Sequence, residues 1–255
     1  MKEIHVFYAP DITINKELPH DEAQHITKVL RMKEGEEIII TDGKGSFYKA
    51  ALSLVTNKHC CVQLLSREST SPLWQNKIEI AVAPTKHLDR MEWFVEKATE
   101  IGIDQINFVT CEFSERKQIK IERMNRIAIS AMKQSHKAVL PQIPEMMAFN
   151  TFIKCPFEGK RYIAHCYDMK NICDADSYSS DASTSMRTSA FLGQLLKGGE
   201  SAQVLIGPEG DFSRREVEAA IAEGFIPVSL GNSRLRTETA ALVAVHLMNL
   251  ANSTQ

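Results

Sequence analysis

Two glycine-containing segments near the carboxyl end of the chain have the residue types of a ligand-binding site. They read Leu205-Ile206-Gly207-Pro208-Glu209-Gly210-Asp211-Phe212 and Leu230-Gly231-Asn232-Ser233-Arg234-Leu235-Arg236-Thr237-Glu238-Thr239-Ala240. Each segment follows an apolar run and opens a helical pattern, which predicts two strand-to-helix turns. In an open α/β sheet, ligands bind at the carboxyl ends of strands. We therefore predict one pocket that both turns share.

The residues of these turns suit the recognition of a flat heterocycle. Glycine allows close backbone approach and proline stiffens a turn, so amide and carbonyl groups point in fixed directions. Glu209, Arg236 and Glu238 place charge beside them. The simpler interpretation is a tight turn at 207–210 and a helix cap at 237–239. Two such turns in register at successive strand ends favour a site.

The sequence lacks the motifs of several other chemistries. It has no GxGxxG that opens a first crossover, no GxxxxGK[ST] phosphate loop and no GxSxG elbow. A conventional dinucleotide fold, the common methyltransferase arrangement, nucleotide hydrolysis and serine-esterase chemistry are therefore unsupported. The eight histidines include no HExxH, and none stands beside cysteines at ligand spacing. We expect no metal site.

Composition limits the class of protein further. With 255 residues and 44% hydrophobic content, the chain can bury the core of one large domain or of two unequal ones. A net charge of -2 argues against a protein that coats nucleic acid indiscriminately. The chain has no apolar run of membrane-spanning length, no signal peptide and no disulfide framework among its six cysteines. We expect a cytoplasmic protein without membrane contact.

The first part of the chain, residues 1–70, has the pattern of a small antiparallel sheet or barrel. Short β-rich runs at 36–41, 47–54 and 60–65 are separated by tight turns with Gly and Asn. The polar, proline-containing stretch 71–76 then reads as a linker.

The second part, residues 77–255, alternates between apolar strands and helical patterns. Strands are predicted at 78–83, 106–110, 202–206 and 226–230, and helices at 89–101, 121–137, 213–224 and from Thr237 or Thr239 onward. This alternation is typical of parallel strands joined by crossover helices. The serine-rich stretch at about 170–188 lacks apolar periodicity and reads as a surface insertion. The final helix is apolar on nearly all sides, so another surface, such as a partner subunit, should cover it.

The two loops resemble the signature loops of the RsmE family, the 16S ribosomal RNA (uracil-N3) methyltransferases of the SPOUT superfamily. Segments of the N-terminal domain, of the first helix and of a later motif are similar as well. They read His25-Ile26 with Val29-Leu30-Arg31, Arg90-Met91-Glu92-Trp93 with Glu96-Lys97-Ala98-Thr99-Glu100-Ile101-Gly102, and Gln134-Ser135. The similarity covers nearly the whole chain apart from the serine-rich insertion.

This resemblance implies a fold class, a cofactor and partners. The fold would be α/β, with a PUA-like RNA-binding β-barrel at 1–70 and a SPOUT domain at 77–255 whose chain forms a deep trefoil knot. The cofactor would be S-adenosyl-L-methionine. The substrate would be 16S ribosomal RNA within the small ribosomal subunit, and the active unit a homodimer.

The resemblance also implies site residues. The expected cofactor-binding residues are Thr85, Leu205, Ile206, Gly207, Pro208, Glu209, Gly210, Leu230, Gly231, Ser233, Leu235, Arg236, Thr237, Thr239 and Ala240. The expected RNA contacts are Lys28, Arg31, Lys86, Arg90, Arg116 and Lys117. Such basic residues are also typical of ordinary solvated faces.

Two catalytic roles are expected in an in-line attack by uracil N3 on the sulfonium methyl group. Arg236 would stabilise negative charge on the uracil carbonyl oxygens, and Glu238 would orient that arginine or accept the N3 proton. A helix cap or a dimer contact is an equal alternative for Glu238.

The chain departs from the family pattern at two places. Asp211 stands where a second glycine is more common, beside a helix start that favours a carboxylate. Asn232-Ser233-Arg234 replaces a common Pro-Arg-Ile, which moves an arginine by one place, so the catalytic role is assigned to Arg236.

Three alternative functions remain open from the residues. One is another SPOUT activity such as ribose 2'-O-methylation. Another is a noncatalytic RNA-binding factor in ribosome assembly, and a third is a nucleotide-phosphate binder, because helix amino ends also attract anions.

Overall fold

The structure is a computed structural model that describes residues 5–56, 58–70, 76–167 and 190–253. The predicted serine-rich insertion and nearly all of the predicted linker lie outside these residues. The chain divides into two compact units, Met1–Leu73 with Ala128–Leu140, and Trp74–Ile127 with Pro141–Gln255. None of the described helices has the length and apolar character needed to cross a membrane.

The first unit contains a four-stranded sheet in the order β1-β2-β3-β4. Its strands are β1 (Val6–Tyr8), β2 (Glu37–Thr41), β3 (Ser46–Val55) and β4 (Cys60–Ser69). The pairs β2-β3 and β3-β4 are antiparallel, as predicted, whereas β1 runs parallel to β2. Along β3, Tyr48, Ala50 and Leu52 are buried and alternate with more exposed residues. This period of two places one face of the sheet on the core.

Three short helical segments connect β1 to β2. They are α1 (Ile12–Asn15), α2 (His20–Gln24) and a π-helical segment (His25–Leu30) that continues α2. Ile12, Ala23 and Ile26 are buried in the same core as β2 and β3. Lys28 and Arg31 remain exposed at the end of the π-helical segment.

The first unit also includes residues that follow the middle of α4 (Ile121–Gln134). Lys133 Nζ lies 2.6 Å from Glu22 Oε1, a buried carboxylate that also accepts from Tyr8 N at 3.2 Å. Beyond the helix, Ala138 O accepts from Gly45 N at 2.9 Å. The chain therefore returns to the first unit long after leaving it. The predicted boundaries at 70 and 77 remain predictions, and nothing in the local sequence pattern anticipates this return.

The second unit is built on a sheet of seven described strands, all parallel to their neighbours. The strands are β5 (Ile78–Val82), β6 (Gln105–Thr110), β7 (Met147–Ala148), β8 (Lys160–Ala164), β9 (Ala190–Phe191), β10 (Ala202–Ile206) and β11 (Ile226–Ser229). Their order is β7-β6-β5-β10-β8-β11-β9. All five residues of β5 and of β10 are buried, because helices cover both faces of a parallel sheet.

The helices of the second unit are α3 (Leu88–Ile101), the first part of α4, α5 (Phe149–Phe152), α6 (Leu192–Leu195), α7 (Arg214–Ala222) and α8 (Thr237–Ser253). On one face, Val217 and Ala220 of α7 pack with Leu205 and Ile163. Helix α8 packs against β5, β10 and α3. The predicted alternation of strands and helices is confirmed.

The order of the strands shows that β10 lies between β5 and β8, which both precede it in the chain. The predicted helix start at Ser213 is confirmed, because Ser213 caps α7 and forms a capping box with Glu216. The trefoil knot remains a prediction.

Candidate functional site

Four loops meet at one edge of the parallel sheet. Because parallel strands share their direction, the loops that follow β5, β10, β8 and β11 all leave from their carboxyl ends. The register pairs Ile206 of β10 with Ala164 of β8, and Ala164 with Val228 of β11. The residues that follow Ala164 therefore lie between the two glycine-containing loops.

The first glycine loop, Gly207–Ser213, is fixed by packing. Gly207 and Pro208 are buried, whereas Glu209 and Gly210 are exposed. A Cβ on Gly207 would lie 3.1 Å from two ring carbons of Phe212, which is fully buried. Glycine at 207 therefore permits close contact between the strand end and this core ring.

The conformation and hydrogen bonds of Asp211 explain why an aspartate occupies this position of the loop. Its φ of 66° lies in the left-handed region, where aspartate is tolerated better than most side chains. Its Oδ1 accepts from Phe212 N at 2.7 Å, and its Oδ2 accepts from Cys166 N at 2.8 Å. The carboxylate thus links the loop after β10 to the loop after β8, a role that its position beside a helix start did not reveal.

The loop after β5 is fastened to the first glycine loop and to the segment after β6. Thr85 is fully buried, and its Oγ1 donates to His87 O at 2.8 Å. Glu209 Oε1 accepts from Lys86 N at 2.9 Å. Arg116 donates to Lys86 O through Nε at 3.1 Å and Nη2 at 2.7 Å. Glu115, 2.9 Å from the Lys86 ammonium, raises the pKa of that lysine.

The second glycine loop, which leads from β11 to α8, is open. Gly231 has a φ of 119°, and a Cβ placed on it would meet no atom within 4 Å. The positions 231–234 and Arg236 are exposed, whereas Leu230, Leu235, Thr239 and Ala240 are partly buried. Thr237 and Glu238 are buried where α8 begins. This loop can accept a ligand without moving a packed side chain.

Glu238 pairs with an arginine that the sequence did not connect to it. Its Oε1 lies 3.8 Å from Arg90 Nε, on α3, and the residue is 6% exposed. Its Oε2 is buried and has no hydrogen-bond partner within the described residues. The carboxylate therefore forms an ion pair with Arg90, and its Oε2 can still accept a hydrogen bond.

His165 is a site residue that sequence reasoning missed. It directly follows β8, between the two glycine loops. Its Nδ1 accepts from Tyr167 N at 3.1 Å, so the proton of the neutral ring is on Nε2. That Nε2 is buried and has no partner in the part of the chain described, and burial lowers the pKa of the imidazole. The sequence signal that could have identified it is a histidine at the end of an apolar run.

The predicted RNA contacts fall in both units. Lys28 and Arg31 are exposed in the first unit, and Lys86 and Lys117 are exposed in the second. Arg90 and Arg116 are only partly exposed. The structure thus brings Lys86, Arg90 and Arg116 to the loops of the site through specific partners. Among the described residues, no cluster of His, Cys, Asp or Glu could hold a metal ion.

The loops at this edge of the sheet lie within a region that is similar to a known protein family. A family model described as an RNA methyltransferase domain matches residues 72–249, and one described as an RNA methyltransferase PUA domain matches residues 18–65. The chain belongs to this RNA methyltransferase family. The match spans every loop of the site, and the enzyme class predicted from the sequence is confirmed.

Two relatives of this RNA methyltransferase are named Ribosomal RNA small subunit methyltransferase E. The protein from Synechocystis is 29% identical over 230 residues, which cover 88% of this chain and 69% of the relative. The protein from Bacillus subtilis is 28% identical over 244 residues, which cover 93% of this chain and 89% of the relative. The resemblance to the RsmE family is confirmed.

Solved structures of similar proteins confirm the fold class. A probable rRNA-methyltransferase from Porphyromonas gingivalis is 45% identical, with a TM-score of 0.84 and 98% coverage of both chains. A ribosomal RNA small subunit methyltransferase E from Neisseria gonorrhoeae, bound to S-adenosyl methionine, is 25% identical, with a TM-score of 0.80 and 98% coverage of both chains.

Proposed function

We propose that this RNA methyltransferase transfers the methyl group of S-adenosylmethionine to N3 of one uridine in 16S ribosomal RNA. The observation that carries the proposal is the pair of glycine loops after β10 and β11, the two strands that flank β8, in a chain similar over most of its length to proteins named for small-subunit RNA methylation. An RNA substrate of this kind also places the protein in the cytoplasm.

The residues at the sheet edge fit this cofactor. S-adenosylmethionine lacks phosphates, and the loops contain glycines without a phosphate-loop lysine. Space is open around Gly231, while the buried Nε2 of His165 and Oε2 of Glu238 lack partners in the described chain. One atom is a donor and the other an acceptor, which suits a ligand that carries both kinds of group.

The cofactor would be held mostly by backbone groups. We assign this role to the strand ends and loops at 205–210 and 230–231, with side chains from the segment that leads into α8. The contributing residues of that segment are Ser233, Leu235, Arg236, Thr237, Thr239 and Ala240, and Thr85 lines the loop after β5. When bound, the cofactor supplies an electrophilic methyl group on a sulfonium centre.

Uracil N3 carries a proton, so residues of the protein must accept that proton or stabilise the anion that its loss leaves. Exposed Arg236, at the amino end of α8, stabilises negative charge that develops on the uracil carbonyl oxygens. Glu238 accepts the proton at its unpartnered Oε2 or holds Arg90 toward the RNA, since Arg90 is its observed partner. The base must be unpaired or flipped, because N3 lies on the pairing edge.

Two further partners follow from the same proposal. RNA phosphates contact Lys28 and Arg31 on the first unit and Arg90 and Lys117 on the second, within the small subunit. A second copy of the chain covers α8, whose Leu250 is 47% exposed. Dimerisation would bury this apolar surface.

Reverse transcription of small-subunit RNA, from cells with and without the gene, tests the proposal. A methyl group on N3 blocks pairing, so the polymerase should stop at one uridine only when the gene is present. A stop that persists without the gene contradicts the proposal. Loss of resistance to ribose cleavage, without loss of a stop, would indicate ribose 2'-O-methylation instead.

A further inference from the structure

A largely exposed aromatic side chain, Phe113, lies beside the first glycine loop. Phe113 follows β6 and is 49% exposed, although Phe is usually buried. Its Cβ lies 3.2 Å from the position of a Cβ on Gly210. Glycine at 210 therefore lets the backbone of the first glycine loop approach the Cβ of Phe113.

The backbone around Phe113 is held on both sides by buried groups. Before it, Glu112 N donates to Glu216 Oε1 at 2.8 Å, and Glu216 is buried in the capping box of α7. After it, Ser114 is buried and its Oγ accepts from Cys111 N at 2.9 Å. The exposed ring is thus presented by a fixed turn, so a partner that contacts it loses little conformational freedom of the protein.

Charges near the ring are largely matched by opposite charges. Lys86 pairs with Glu115 at 2.9 Å, and Arg116 is engaged at the Lys86 carbonyl. Lys117 is exposed next in the chain. Lys117 can thus contact a phosphate, while the rigid aromatic ring suits the stacking of a planar group. Exposed aromatic rings that stack unpaired bases are a common device of RNA-binding proteins.

We propose that Phe113 stacks on an unpaired base of the RNA substrate at the rim of the first glycine loop. This role rests on the proposed function, because a methyltransferase that acts on N3 must receive its target in an unpaired strand. The ring makes Phe113 a determinant of RNA affinity that lies outside the cofactor-binding residues.

The test compares Phe113→Ala with wild type in titrations of a small-subunit RNA fragment that contains the stop nucleotide, at several salt concentrations. Loss of one stacked base should raise the Kd for RNA about 5- to 150-fold. The slope of log Kd against log salt should stay unchanged, because no phosphate contact is lost. Alanine keeps the Cβ that faces Gly210, so calorimetry should show unchanged affinity for S-adenosylmethionine.

Two control variants separate stacking from general effects. Phe113→Tyr retains a ring and should bind RNA within a few-fold of wild type. Ile226→Ala removes an apolar side chain that is 38% exposed at the amino end of β11, away from the glycine loops, and should leave the Kd for RNA unchanged.

Several outcomes would overturn the inference. Wild-type RNA affinity of Phe113→Ala would do so, as would a loss of cofactor affinity, which would assign the ring to the adenine. A lower molecular mass in sedimentation would assign the ring to an interface between copies. If wild type produces no stop, the proposed function fails first, and a titration with full-length small-subunit RNA still reports on Phe113.

Discussion

The two glycine loops of the sheet edge are built in opposite ways. The first, after β10, contains buried Gly207 and Pro208 and is tied by Glu209 to Lys86 N and by Asp211 to Cys166 N. The second, after β11, is exposed from 231 to 234, and its side-chain hydrogen bonds within the described chain join Ser229 to Gly231. The difference indicates that the first loop is held in a fixed conformation, whereas the second has open space that can receive a ligand.

The largest expected effect comes from the open loop. If Arg236 stabilises charge on the uracil, Arg236→Ala should lower kcat about 100- to 1000-fold. The free energy of unfolding should change little, because Arg236 is exposed. Single-turnover methyl transfer measures the effect. Arg234→Ala, an exposed arginine of the same loop, is the matched control, and an equal loss there would contradict the assignment.

The next effect concerns the support of the fixed loop. Glu216 accepts hydrogen bonds from Glu112 N at 2.8 Å and Ser213 N at 2.9 Å, and it is buried. Glu216→Ala leaves both amides unpaired and should lower the free energy of unfolding by about 2–4 kcal/mol. Urea titration gives the value. Glu218→Ala, exposed on the same helix, should change it by less than about 0.5 kcal/mol.

Two alanine substitutions, one in each glycine loop, test whether the first loop is packed and the second is open. Gly207→Ala presses on the buried Phe212 ring and should lower the free energy of unfolding by about 1–3 kcal/mol. Gly231→Ala meets open space but strains a φ of 119°, so its cost should appear mainly as weaker cofactor binding. Urea titration and calorimetry separate the two. Equal loss of stability in both variants would show that the second loop is held in its conformation as firmly as the first.

The smallest expected effect is a pH dependence from His165, between the two loops. Because burial lowers the pKa of this imidazole in the folded protein, the unfolded chain binds the proton first as pH falls. The free energy of unfolding should therefore decrease below about pH 6.5, the ordinary histidine value. His165→Gln should show a weaker decrease between pH 7.5 and 5.5 in urea titrations. The same decrease in both proteins would place the effect elsewhere.

Much of the second unit could be predicted because its signals are local. Apolar runs marked β5 and β10, and the spacing of Ser213 and Glu216 gave a capping box that the structure contains. The spacing of apolar residues indicates that one face of a helix or strand is buried, but it does not indicate which other element covers that face. The return of 128–140 to the first unit is therefore absent from the local pattern.

The site was predicted less completely than the fold for the same physical reason. The glycine loops could be recognised from the local sequence. The contacts of Glu238 with Arg90 and of Asp211 with Cys166 could not, because they join positions that are distant in the chain. Nε2 of His165 has no partner among the described residues, because Nδ1 takes the hydrogen bond from Tyr167 N and the ring is buried just after β8. Such features depend on the register of β8 between β10 and β11.

The most direct test of the central claim is methyl transfer by the purified protein. Small ribosomal subunits from cells without the gene would be incubated with the protein and S-adenosylmethionine carrying a labelled methyl group. Their RNA would then be digested to nucleosides and analysed by chromatography and mass spectrometry. We predict that the label appears in 3-methyluridine, at about one methyl group per RNA, and accumulates about 100- to 1000-fold more slowly with Arg236→Ala. Label in a ribose-methylated nucleoside, or no label in RNA, would contradict the account.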